Sequence, residues 1–243
     1  MTTMTQTDEL THSLSGNKKK HELFVVLRDF RSRAGDFSKE QLATLLGQWY
    51  HPLHYFPVFL SRVISVAASL EMQTHVSRIL WQELGEGDPA RSHEKLFIDT
   101  FLDVGFEQTD LVGAKPLPGT RELMVGYRES SSNYLDGLGF MYGTEVVDLA
   151  LVSTFGSLVL GMTGPRQLPW VDIHVSQEPD HVATSIRALT LAMTDAEQEQ
   201  IAKSAENAWD LWLGFCTSLK QEMFPEPVGM SVATGDGAKP SFV

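Results

Sequence analysis

His174, Glu178 and His181 stand at i, i+4 and i+7 in the segment Trp170-Val-Asp-Ile-His-Val-Ser-Gln-Glu-Pro-Asp-His181. On a helix turning about 100° per residue, the three fall within about 60° of one another. One stripe then presents two imidazoles and a carboxylate. Such a mixed nitrogen and oxygen set suits iron, manganese or zinc, whereas calcium and magnesium take oxygen donors. Pro179 lies between two of the three and has no N–H to donate, so a kink there would change the register of His181 against His174. A solvated helix face carrying chance histidines has the same pattern.

A second candidate is Glu83-Leu-Gly-Glu-Gly-Asp-Pro-Ala-Arg-Ser-His93. It places a carboxylate at the end of one helix and an imidazole early in the next, with Gly85 and Gly87 permitting an irregular backbone between them. Glu86 competes with Glu83, being seven residues from His93, and spacing alone does not choose between them. An ordinary interhelical turn is the plain alternative. The third candidate is Glu145, set among Phe140, Met141, Val146, Val147 and Leu149. A carboxylate in so apolar a stretch is costly to bury unless it is paired or bound to metal. Asp148, at i+3, offers the other reading, a shared solvated side.

The elements that must carry these residues read as helices throughout. Leu23, Val26, Leu27 and Phe30 recur at helical spacing. Ser38 and Gln41 form a capping box for a helix through Leu42, Leu45, Leu46 and Trp49, which Pro52 and Pro57 are expected to kink or split. Further helices are expected over 58–70 and 74–84. Another runs to about Val104, with Asp88 as N-cap and Pro89 at its first position. More follow from near Thr120, from near Leu135 through Glu145, and from the Gly164–Pro165 turn through His174 to about Leu191. Thr194 and Glu197 form a second capping box for a last helix reaching about Met223. No clean strand alternation or internal repeat is present. The fold class is all-α, a single domain of about seven or eight helices over 18–224, with disordered segments at 1–17 and 225–243.

Composition narrows the partners. A net charge of -12 and a pI near 5.0 argue against nucleic acid, which demands clustered Lys and Arg. The basic run Lys18–Lys20 reads as a solvated helix start. The charge-free stretch between Asp148 and Arg166 is short and interrupted by glycines, which favours a buried bundle helix over a membrane span. The start of the chain has no apolar signal-peptide core, and a single cysteine, Cys216, suits a reducing cytoplasm.

Taken together, Glu-Leu-Gly-x-Gly-Asp-Pro-x-x-x-His at 83–93, the lone Glu145, and His-x3-Glu-x2-His at 174–181 resemble the heme-oxygenase-like diiron oxidases and oxygenases. These share a helical-bundle fold with the TenA and PqqC proteins. The resemblance spans roughly residues 20–222. It implies that Glu83, His93, Glu145, His174, Glu178 and His181 bind two irons, and it favours Glu83 over Glu86. This chain departs from the family in having Glu178 where the family usually has Asp, which leaves Asp180 as a fallback carboxylate.

The implied chemistry is O2 activation by Fe(II)/Fe(III) ions with electrons from an external reductant. The Gly-x-Gly-Asp-Pro form looks most like the N-oxygenating branch, which acts on amines or amino acids in natural-product biosynthesis. The alternative within oxygen chemistry is C–H or C–C cleavage or desaturation of an amino or fatty acid. Outside it stand a metal-free TenA-like hydrolase, for which Cys216 would be the nucleophile, and a non-catalytic binding protein. A homodimer is compatible with the family fold. His51, His54, Tyr55, Phe56 and Tyr142 are as well explained by packing as by substrate contact, and no substrate residue is assigned.

Overall fold

A computed structural model describes residues 10, 14–189 and 194–225. Among these there are nine α-helices, two short 3-10 turns and no strand. They are α1 (Lys18–Ser32), α2 (Lys39–Val66), α3 (Leu70–Glu83), α4 (His93–Val104), α5 (Gln108–Val112), α6 (Pro118–Ser130), α7 (Tyr134–Thr163), α8 (Pro169–Leu189) and α9 (Asp195–Met223). The expected disordered segments fall mainly outside the described residues, as does the end of the helix expected to reach Leu191. Leu10 and Leu14 are buried against the core.

The two capping boxes form as their spacing predicts. Ser38 and Gln41 exchange side-chain and backbone hydrogen bonds at the start of α2, and Thr194 and Glu197 do so at α9. Two details differ from expectation. Helix α2 runs unbroken through Pro52 and Pro57, because Leu53, Phe56, Phe59, Leu60 and Val63 continue one buried face past both prolines and tertiary packing holds the helix together. Asp88 caps only a single 3-10 turn, Pro89–Arg91. Helix α4 begins afterwards, with Ser92 as its N-cap and His93 as its first residue.

Helix α7 is the axis of the bundle. By length and composition it is the one described helix apolar enough to cross a membrane. In the fold it is surrounded by α1, α2, α6, α8 and α9 and buries residues on every side. Gly143 permits one of these close approaches. A Cβ there would stand 2.9 Å from the Ala205 carbonyl oxygen of α9, and the indole N–H of Trp209 donates to the Gly143 carbonyl at 2.7 Å. This contact fixes α7 against α9 two residues before Glu145. On the opposite side, α8 is tied to α4 by the Trp170 N–H donating to Thr100 Oγ1 at 3.1 Å. It is tied to α3 by Arg78, whose guanidinium reaches Asp180 at 2.8 Å.

Candidate metal centre

Four helices bring their ligand-type side chains to one buried point. Glu83 ends α3, His93 begins α4, Glu145 sits midway along α7, and His174, Glu178 and His181 line the inner stripe of α8. All six are at most 6% exposed. Pro179 does not break α8: its side chain faces out, and the i, i+4, i+7 stripe stays in register.

The turn between α3 and α4 explains how Glu83 and His93 meet. Gly85, Glu86 and Gly87 take φ values of 84°, 58° and 93°, three successive residues in the left-handed region. The chain thereby reverses tightly enough that a Cβ on Gly85 would lie 2.6 Å from the Ser92 nitrogen. The same reversal throws Glu86 into solvent, where it pairs with Arg91 at 3.5 Å. Asp180 is likewise turned away, engaged by Arg78. Of the competing carboxylates, Glu83 and Glu178 face the interior, and Glu86 and Asp180 do not.

The spacing of donor atoms is that of ligands around a cation. His93 Nδ1 lies 3.0 Å from Glu83 Oε2, and His181 Nδ1 lies 3.4 Å from Glu145 Oε2 and 3.8 Å from both Glu83 Oε1 and Glu178 Oε2. Glu145, Glu178 and His181 each offer a donor atom within 4.8 Å of the others. Two ligands held at about 2.1 Å from one ion at right angles are about 3.0 Å apart. His93 Nδ1, Glu145 Oε1, Glu178 Oε1 and His181 Nε2 are all buried with no hydrogen-bond partner. Buried polar atoms are rarely left so, and several orphaned together are what a metal site presents.

Outside this group, two acceptors orient the imidazoles. His174 Nδ1 donates to the Trp170 carbonyl oxygen at 2.7 Å, which leaves the Nε2 lone pair facing inward. His93 Nε2 donates to Gln177 Oε1 at 2.9 Å, which leaves Nδ1 facing Glu83. Metal-binding histidines are commonly held this way, one nitrogen anchored and the other free.

Electrostatics follow from crowding. Burial, and then the charges of Asp148 and Glu145, push the Glu178 carboxyl well above the usual carboxylate range. Burial followed by the Glu145 charge raises Asp148 to about 7. Burial and the neighbouring His93 lower His174 to about 3. At His181 burial opposes charging, but Glu145 and Glu83 outweigh it and raise the imidazole to about 9. At Glu83 burial is likewise outweighed, here by His93, and the carboxyl falls to about 2. Protons thus occupy part of the cluster that divalent cations would occupy.

Two residues of the cluster were not expected from the sequence. Asp148 enters the sequence reading only through the alternative of a solvated side shared with Glu145, yet its Oδ2 is buried, 4.0 Å from His174 Nε2. Its signal was the i+3 spacing from Glu145. Gln177 carried a similar signal, at i+3 from His174, but nothing in its residue type marks it as a histidine anchor.

Beside the cluster lies a narrow, partly open cavity, with about 380 Å³ of space between atoms that includes its solvent-facing mouth. Its far wall is Trp49, Pro52, Leu53, Phe56, Tyr127 and Trp212, and its near wall includes Glu83, Glu145, Asp148, His174 and Glu178. The Tyr127 hydroxyl is 3.4 Å from Thr144 Oγ1, which also accepts the Trp212 indole N–H at 3.3 Å. No Lys or Arg is among the described lining residues. His51 is occupied with the Ala114 carbonyl, His54 with Glu94, and Tyr142 packs on Trp209. Cys216 is fully buried in α9, and burial pushes its thiol far up, so it has neither the access nor the ionisation of a nucleophile.

The family model of the iron-containing redox enzymes matches residues 43–213, and the chain belongs to that family. Its fold is that of the heme-oxygenase-like proteins. A CADD-like protein of unknown function from Nostoc punctiforme superposes with a TM-score of 0.74 at 16% identity, covering 90% of this chain and 98% of that one. A domain of unknown function with a heme oxygenase-like fold from Shewanella denitrificans gives 0.70 at 16% identity, covering 90% and 94%. A TenA homologue from Pyrococcus furiosus gives 0.66 at 10% identity, covering 86% and 99%. No match was found among proteins with curated functions.

Proposed function

We propose that the chain is a two-iron, O2-dependent oxygenase that transfers an oxygen atom to the nitrogen of a small amine. The observation that carries this reading is the set of polar atoms without hydrogen-bond partners on His93, Glu145, Glu178 and His181, buried together among donor atoms spaced as ligands around a cation. Iron is the metal of the family to which the chain belongs. Three glutamates and three histidines supply more donor atoms than one octahedral ion has positions, which supports two ions over one.

The iron pair would supply O2 binding and the electron transfers. The protein's own part is positioning. Trp170 and Gln177 hold His174 and His93 with their free nitrogens inward, and the glutamates balance the cations' charge. The aromatic wall of Trp49, Phe56, Tyr127 and Trp212 excludes water and confines a compact substrate against the near wall. The overall reaction takes one amine and one O2 with two electrons and two protons from an external reductant, and gives a hydroxylamine and water. An amine is favoured over an amino or fatty acid because no Lys or Arg lines the cavity to receive a carboxylate.

Anaerobic Fe(II) loading, followed by reductant, O2 and a panel of small amines, tests the reading. The expected result is amine-stimulated O2 uptake and a product one oxygen atom heavier. Uptake that no amine stimulates, or a product that has lost hydrogen or a carbon fragment, overturns the N-oxygenation assignment in favour of C–H or C–C oxidation.

A further inference from the structure

Asp148 is the group in the cluster that the motif reading leaves without a task. It projects from α7 one turn beyond Glu145, and among the described residues no Lys or Arg pairs with it. Its Oδ2 is buried with no hydrogen-bond partner, and its carboxyl lies within hydrogen-bonding reach of Glu178. Across from it, 4.0 Å away, is His174 Nε2. The Trp170 carbonyl can only accept, so the His174 proton is on Nδ1, and Nε2 turns a lone pair toward the carboxylate. Two lone pairs facing one another in a buried site repel unless a proton or a metal cation lies between them. Two donors on opposite sides of one ion, each at about 2.1 Å, are about 4.2 Å apart.

We infer that Asp148 is a fourth carboxylate ligand of the metal centre, binding the same divalent ion as His174. The inference rests on the two-metal reading above and adds a ligand to it. Charge supports it: two divalent cations bring four positive charges, Glu83, Glu145 and Glu178 answer three of them, and Asp148 answers the fourth. Burying an unbalanced charge is costly, so a neutral centre is the one the fold can hold.

Removing Asp148 should then have opposite effects on the two forms of the protein. Without metal, Asp148 only adds a buried carboxylate to a crowded group, so Asp148→Asn is expected to raise the melting temperature of the metal-free protein. With metal, the same variant should lose one of two Fe(II) per chain, counted after anaerobic loading and desalting. It should also lose part of the melting shift produced by Mn(II), with at least tenfold weaker Mn(II) binding at the affected position. Asp148→Glu, which keeps the carboxylate, should recover part of the Mn(II) shift.

A merely structural aspartate would behave otherwise. If Asp148→Asn lowers the metal-free melting temperature, fails to fold, or keeps two Fe(II) and the full Mn(II) shift, the inference is overturned. Wild-type protein that takes up neither metal overturns the two-metal reading itself, which separates the two failures.

Discussion

Gln177 Oε1 accepts a hydrogen bond from His93 Nε2 at 2.9 Å, joining α8 to the first residue of α4 across the buried Glu/His cluster. The bond settles which nitrogen of His93 is protonated and turns the other toward Glu83. It also lets the stripe that supplies His174, Glu178 and His181 orient the ligand from the neighbouring helix.

Gln177→Leu is therefore expected to weaken metal binding without removing any ligand. The loss should be about ten- to a hundredfold in Mn(II) affinity, the range seen when a histidine's outer partner is removed. Gln177→Glu, which keeps an acceptor, should retain most of the affinity. An unchanged affinity in the leucine variant would show that packing alone orients His93.

The two carboxylates that the sequence could not rank are separated by their surroundings. Glu83→Gln should abolish tight binding of at least one iron, because it empties the position facing His93 and His181. Glu86→Gln and Asp180→Asn should leave iron content unchanged. Asp180→Asn should cost at most about 1 kcal/mol of stability, since its partner Arg78 is solvent-exposed. Iron content of the three purified variants after anaerobic loading checks the contrast.

Metal binding should release protons and strengthen with pH. Asp148 at about 7, His181 at about 9 and Glu178, raised well above its usual range, hold protons that a divalent ion must displace. The sign for the metal-free protein is opposite. Its folded state binds more protons than the unfolded chain, so its stability falls as pH rises from about 4 to 7 through Asp148 and from about 6.5 to 9 through His181. His174, lowered to about 3, works the other way, but only below about pH 6.5. Calorimetric titration of Mn(II) at pH 8 in two buffers of different ionisation enthalpy should give different heats, with tighter binding at pH 8 than at pH 6. Equal heats would contradict the proton count.

Gly143→Ala should destabilise the bundle by about 1–3 kcal/mol, the usual cost of forcing a methyl group into a packed contact. Its Cβ would stand 2.9 Å from both the Ala205 carbonyl oxygen and the Ala208 Cβ, and neither backbone can yield without moving α7 from α9. Thermal melting reads the loss. Because Glu145 is two residues further on, weaker Mn(II) binding should accompany it.

The sequence by itself determined the helices and pointed to the principal side chains of the buried Glu/His cluster. The capping boxes at Ser38 and Thr194, the glycine-rich turn after Glu83 and the i, i+4, i+7 stripe on α8 are local features, set by hydrogen bonds and side-chain spacing within a few residues. They are legible without the fold. What only the tertiary structure decided depends on neighbours distant in the chain. Packing along Leu53, Phe56, Phe59 and Leu60 kept α2 whole through two prolines. Packing of α3 against α8 held Glu83 inward, Arg78 drew Asp180 away, and the enclosure of α7 by five helices buried Asp148 beside His174. A carboxylate's residue type states what it can bind. Whether it meets water, an arginine or a metal is a matter of solvation, and that is fixed only when the helices close around it.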